Sequence, residues 1–165
     1  MSKYLKPIQC EYFGDSIEEI KKRNFYLTEE FLKWMQKNGL STKTQNQHLV
    51  YILMFLNDYL LYYGDCENGC CNVEAGVDNI DDFFGNFFIR KVLNSNEKRL
   101  KEATRAIKKF YKFLYEKGLI KKSDYQKVLD TIKNNLSRWL VKMSQYNDPD
   151  LDAFELDWID VYIRE

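Results

Sequence analysis

Proline and glycine are scarce in this sequence, two and seven in 165 residues. So thin a supply of turn formers argues against a hairpin-rich β fold and favours long helices. No apolar run approaches the roughly eighteen residues that a membrane span needs. Met1 to Pro7 shows no apolar stretch of the secretory kind, so the expectation is a cytoplasmic protein with no membrane partner. A glycine-rich phosphate loop, a nucleophile elbow and a metal-hydrolase motif are all missing. Histidine occurs once, as His48, and no partner pattern accompanies it for catalysis. The chain therefore reads as no enzyme, with no cofactor and no small-molecule substrate. Net charge is also absent, with 25 Lys/Arg against 25 Asp/Glu, which by itself points to no nucleic-acid partner.

Apolar residues make up 45% and aromatic residues 16% of the chain. That is a globular composition, and the length suits one domain, residues 1–165, with its own core. The fold class is all-α: a compact orthogonal bundle of four to five core helices, with extra helical segments at the N- and C-terminal ends. The organising stretch is Gly39 to Gly64. Gly39 can take the left-handed conformation that ends a helix, and Ser41 is a good N-cap. Leu49, Ile52, Leu53, Leu56, Tyr59, Leu60 and Tyr63 then recur at helical spacing over about Thr42 to Tyr63. Upstream, a short helix capped by Asp15 or Ser16 gives way to another beginning at Thr28 and buried through Phe31, Leu32, Trp34 and Met35. Downstream, Asp78 or Asn79 caps a helix packed through Ile80, Phe83, Phe84, Phe87, Phe88, Val92 and Leu93. Asn94 to Asn96 breaks it and caps the next, which Gly118 ends. Ser123-Asp124 starts a long helix packed through Tyr125, Val128, Leu129, Ile132, Leu136, Trp139, Leu140 and Met143. Asp148-Pro149 opens an acidic amphipathic tail, residues 148–165, docked through Leu151, Phe154, Trp158, Ile159 and Tyr162.

Charge is distributed unevenly. Residues 65–85 carry six acids and no base, and residues 148–165 have a balance of −6. Residues 86–122 carry twelve Lys/Arg against three Glu, a balance of +9. In the helix 97–117, Leu100, Ala103, Ile107, Phe110 and Leu114 occupy one side. Lys98, Lys101, Arg105, Lys108 and Lys112 occupy the other, roughly 180° away at about 100° per residue. A basic stripe along one helix is an electrostatic footprint for phosphates.

The stretches Phe31-Leu32-Lys33-Trp34-Met35, Gly39-Leu40-Ser41-Thr42-Lys43-Thr44 and Ala106 to Ile120 together resemble the N-terminal, SAM-like core-binding domain of phage integrases and other tyrosine recombinases. The resemblance covers about residues 28–135. It implies a clamp on duplex DNA in which the second and fourth helices cross in the groove. Carried over, it points to Lys43, Gln45, Asn46 and Gln47 on one helix. On the other it points to Lys98, Arg99, Lys101, Arg105, Lys108 and Lys109, with Lys112 continuing the stripe. Amide side chains can read adenine edges, whereas Lys and Arg mainly hold phosphates. The amide cluster reads equally well as ordinary helix N-terminal chemistry. The family's catalytic half, with its His-x-x-Arg pair and tyrosine nucleophile, has no counterpart here: His48 is followed three residues on by Tyr51. The resemblance thus implies DNA binding without strand cleavage, and it leaves open a protein partner or a catalytic subunit in trans. The alternative is a protein–protein interaction module on the same scaffold.

Cys66, Cys70 and Cys71, with Cys10 far away, are the right number of thiolates for a closed zinc site. The spacing is not that of paired C-x-x-C ligands, so the expectation is no metal and ordinary loop thiols. Disulfides are not expected of a cytosolic chain.

Overall fold

The computed structural model describes residues 15–64 and 71–151. Expectations placed on residues 1–14, on 65–70 and on the tail from 152 onward lie outside the described residues. The described chain is all-α, without a strand.

Helix α1 runs unbroken over Asp15–Lys37, where the sequence reading has two helices meeting at Thr28. Ile20, Leu27, Phe31 and Met35 are fully buried along one side of the helix, on both sides of residue 28. The Thr28 hydroxyl donates to the Asn24 carbonyl one turn back, at 2.7 Å. It is thus engaged inside the helix and caps nothing. Gly39, at φ 75°, ends α1, and the Leu40 amide closes the turn onto the Met35 carbonyl at 3.1 Å.

Helix α2 spans Thr42–Leu53, with the Ser41 side chain accepting the Thr44 amide as expected of a cap. It continues over Met54–Leu60 in π-type winding. Phe55, Leu56, Tyr59 and Leu60 are buried. Leu53, just before the π stretch, and Tyr63, in the turn beyond Leu60, were expected on the inner face and are 38% and 55% exposed.

A single turn of 3-10 helix, Ala75–Asp78, follows the loop. Then α3 (Ile80–Asp82), a π segment (Phe83–Phe87) and α4 (Phe88–Lys91) make one rod. Neither expected cap serves it. The Asn79 amide donates back to the Ala75 carbonyl at 2.9 Å, and Asp78 is paired with Lys127. The two π stretches supply the aromatic centre: Phe83 lies 4.9 Å from Phe55, 5.1 Å from Tyr59 and 4.8 Å from Phe84 between ring centroids. Burial of each such ring contributes roughly 1.5–3 kcal/mol. Leu93, assigned to this core from sequence, is 81% exposed, because the chain has already left the helix at Val92.

Helix α5 spans Glu97–Glu116 with Asn96 as its cap, and Gly118 at φ 74° follows it. Helix α6 spans Lys122–Tyr146. It begins one residue before Ser123, with the Asp124 carboxylate accepting the Lys121 amide at 3.1 Å. Val128, Ile132, Trp139 and Met143 are its buried positions. Beyond it, Asp148 accepts the Asp150 amide at 2.9 Å, forming a turn at the place where a new helix was expected. The most extensive helix pairing is α2 on α5, with α1 against α2 and α6 against α5 and α3. That pairing positions the residues considered next.

Candidate nucleic-acid interface

The inner side of α5 is as the periodicity requires: Leu100, Ala103, Ile107, Phe110 and Leu114 are fully buried. Its outer side carries the cations. Lys98, Arg99, Arg105 and Lys112 are exposed, and Lys101, Lys108 and Lys109 are half-buried. They are not equivalent. Lys101 is paired with Glu97 one turn back. Arg99 donates from its Nη1 to the Leu93 carbonyl at 2.8 Å, so it braces the loop before the helix. Lys98, Arg105, Lys108, Lys109 and Lys112 form no ion pair among the described residues. An open depression lined by Glu97, Lys98, Lys101 and Arg105 lies along the same side.

The described acids upstream sit elsewhere. Glu74 forms a two-pronged pair with the buried guanidinium of Arg23 on α1. Asp78 pairs with Lys127 and Asp81 with Arg138, both on α6, and Asp81 also accepts from the Trp139 indole at 2.8 Å. Asp82 accepts from the Tyr59 hydroxyl at 2.7 Å. These four carboxylates thus face α1, α2 and α6, and none of them is paired with the α5 stripe.

On α2 the expected set divides. Lys43 and Asn46 are exposed and Gln47 is half-buried. Gln45 is buried, and its amide donates to the Leu40 carbonyl at 2.7 Å. This corrects the reading of Gln45 as an outward amide: it closes the α1–α2 corner and cannot also read a base. Glu102, a buried acid on α5, accepts from the Tyr51 hydroxyl at 3.1 Å. Burial first and then this hydrogen bond push the Tyr51 pKa up to about 12, which keeps the hydroxyl a donor.

His48 is one of the buried residues of α2. It is only 3% exposed, and neither ring nitrogen has a hydrogen-bond partner. Its phase was the available signal, since Gln45, His48 and Ile52 fall on one helix face. Burial, followed by the charges of Lys109 and Arg105, lowers its pKa to about 4. The unfolded chain takes up this proton near 6.5 and the folded chain near 4. The resulting support for the fold is complete above pH 6.5 and is lost as pH falls through 4. Urea melts are expected to show wild type losing on the order of 2 kcal/mol more than His48→Leu across that interval in dilute chloride. Parallel stability curves for the two proteins would contradict the assignment.

Two further features were not anticipated. A cavity of about 220 Å³ is lined by Tyr59, Tyr63, Asp82, Asn86, Phe87, Arg90 and Lys91, with Arg90 donating to Asn86 at 3.0 Å and Asn86 to Asp82 at 3.1 Å. Cys71 is disulfide-bonded, which corrects the expectation of free loop thiols and removes this sulfur as a zinc ligand. Its burial and the bond of its amide to the Leu60 carbonyl at 2.9 Å hold it in place, a constraint that spacing alone does not reveal. Among the described residues no group of three or more His, Cys, Asp or Glu could hold a metal, and no helix is long and apolar enough to cross a membrane. Comparison with protein-family models, curated proteins and solved structures gave no match.

Proposed function

We propose that this chain is a non-catalytic DNA-binding helical module, similar in design to the SAM-like core-binding clamp of tyrosine recombinases. One observation carries the reading. The acids Glu74, Asp78 and Asp81 are paired with Arg23, Lys127 and Arg138, which leaves Lys98, Arg105, Lys108, Lys109 and Lys112 as a cationic stripe without counter-charges among the described residues. Phosphates supply those counter-charges. Lys43 and Asn46 stand exposed on the first turns of the helix that packs most closely on α5, and they extend the surface. Since Gln45 and Arg99 are engaged internally, few side chains remain to read bases, and the expected binding is weak and largely indifferent to sequence.

The test is a salt titration of binding to a short duplex. Five phosphate contacts give a log–log slope of about −4.5, at about −0.9 each. Absence of binding even in dilute salt would sink the DNA reading. A protein-interaction module on the same scaffold is the second reading. It draws on Val50, 59% exposed on α2, and is favoured if no duplex binds. The Cys71 disulfide fits an oxidising setting better than a reducing cytoplasm.

A further inference from the structure

We infer that the α2–α5 seam at His48 is a binding site for a phosphate oxyanion, which, resting on the function proposed above, is a backbone phosphate of duplex DNA. The first ground is the orphaned ring. Buried polar groups are ordinarily hydrogen-bonded, yet both nitrogens of His48 are buried and unpartnered, the only such side-chain atoms among the described residues. The second is the character of its surroundings. Lys109 and Arg105 are the charged groups that act on the ring, and neither has a described counter-ion. The acids nearest in sequence on α5 are otherwise engaged, Glu97 with Lys101 and Glu102 with Tyr51. On α2, Gln45 is turned to the Leu40 carbonyl, and Lys43 is a further cation.

The Tyr51–Glu102 bond lies three residues from His48 on α2 and three from Arg105 on α5, so it sets these donors on neighbouring turns of the packed helix pair. A guanidinium, an ammonium and an imidazole N–H call for an anion that only accepts. A phosphodiester, with two charged non-bridging oxygens and two weaker bridging ones, meets that requirement. Arg105 is exposed and Lys109 half-buried, so their flexible stems can swing aside to admit an oxygen to the ring. An anion bound there also favours the protonated ring, which reverses the effect that burial and the two cations exert on the free protein.

His48 is the only histidine in the chain, so its ring signals can be followed singly by NMR across pH. Three samples are compared in dilute chloride: the protein alone, with inorganic phosphate, and with a short duplex whose binding is measured in parallel by anisotropy. The expected result is a rise in the His48 titration midpoint of at least one pH unit with duplex and a smaller rise with phosphate. Arg105→Gln should abolish both rises. Duplex binding that leaves the His48 midpoint unmoved would overturn the seam site while the DNA reading stands. A rise with inorganic phosphate and no duplex binding would support an anion site for free phosphate and refute the DNA source. A midpoint moved by neither would overturn the proposal.

Discussion

Arg105→Glu, Lys108→Glu and Lys112→Glu, made together, are expected to lower duplex affinity by at least about a hundredfold in dilute salt. The three lie on consecutive turns of α5, and each change removes one phosphate contact and adds a repelling charge. The salt slope should flatten by about 2.7, at about 0.9 per lost contact. Folding is expected to be nearly untouched. None of the three makes an ion pair among the described residues, and surface changes of this kind usually stay within about 0.5 kcal/mol each. Half-buried Lys108 is the exception to watch, since its stem covers apolar surface. The decisive control is Lys121→Glu, Lys122→Glu and Lys133→Glu. These residues are exposed around and along α6, so net charge changes equally but away from the stripe. Equal losses in the two triple variants would show that total charge governs binding and that α5 does not.

Gly76→Ala is expected to destabilise the fold by about 3 kcal/mol, the upper end of what overpacking costs. A Cβ there would lie 2.2 Å from the Tyr111 hydroxyl oxygen, 3.1 Å from Phe55 and 3.2 Å from Leu60. Tyr111 cannot retreat easily. It is fully buried, and its hydroxyl donates to the Val73 carbonyl at 2.8 Å. Tyr111→Phe alone should cost about 1–2 kcal/mol, because a buried carbonyl loses its donor. It also removes the atom that the new methyl meets. The double variant should therefore be about 1–2 kcal/mol more stable than the sum of the singles. Strict additivity in urea melts would show that the clash with Tyr111 is not the cause.

Much of this arrangement can be read from the residues, and what cannot has a physical reason. Helix α5 is legible because Asn96, the apolar period and Gly118 all agree. The cations on its far side follow from the same period. Thr28 misleads because Thr-Glu-Glu reads alike at a helix start and inside one; the difference lies in the burial of Ile20 before it and of Phe31 and Met35 after it, which only tertiary packing reveals. Gln45 misleads because an amide near a helix start looks solvent-facing, and its acceptor is a carbonyl across the corner. The start of α2 is legible but its end is not, because the apolar period runs on to Tyr63 while the helix stops at Leu60. Which cations on α5 stay unpaired depends on where Asp78 and Asp81 find partners, and those partners are on α6, about fifty residues away in the chain.

The π stretches at Met54–Leu60 and Phe83–Phe87 also bear on how this sequence can diverge. A π turn holds one residue more than the i→i+4 ladder requires. Losing a residue there can return the turn to α geometry while keeping the phase of the flanking helix. The same loss within Glu97–Glu116 would rotate every later side chain by about 100°, turning cations inward and Phe110 and Leu114 outward. Insertions and deletions among descendants of this sequence should accordingly collect in the two aromatic π segments, and the helix bearing the stripe should keep its length.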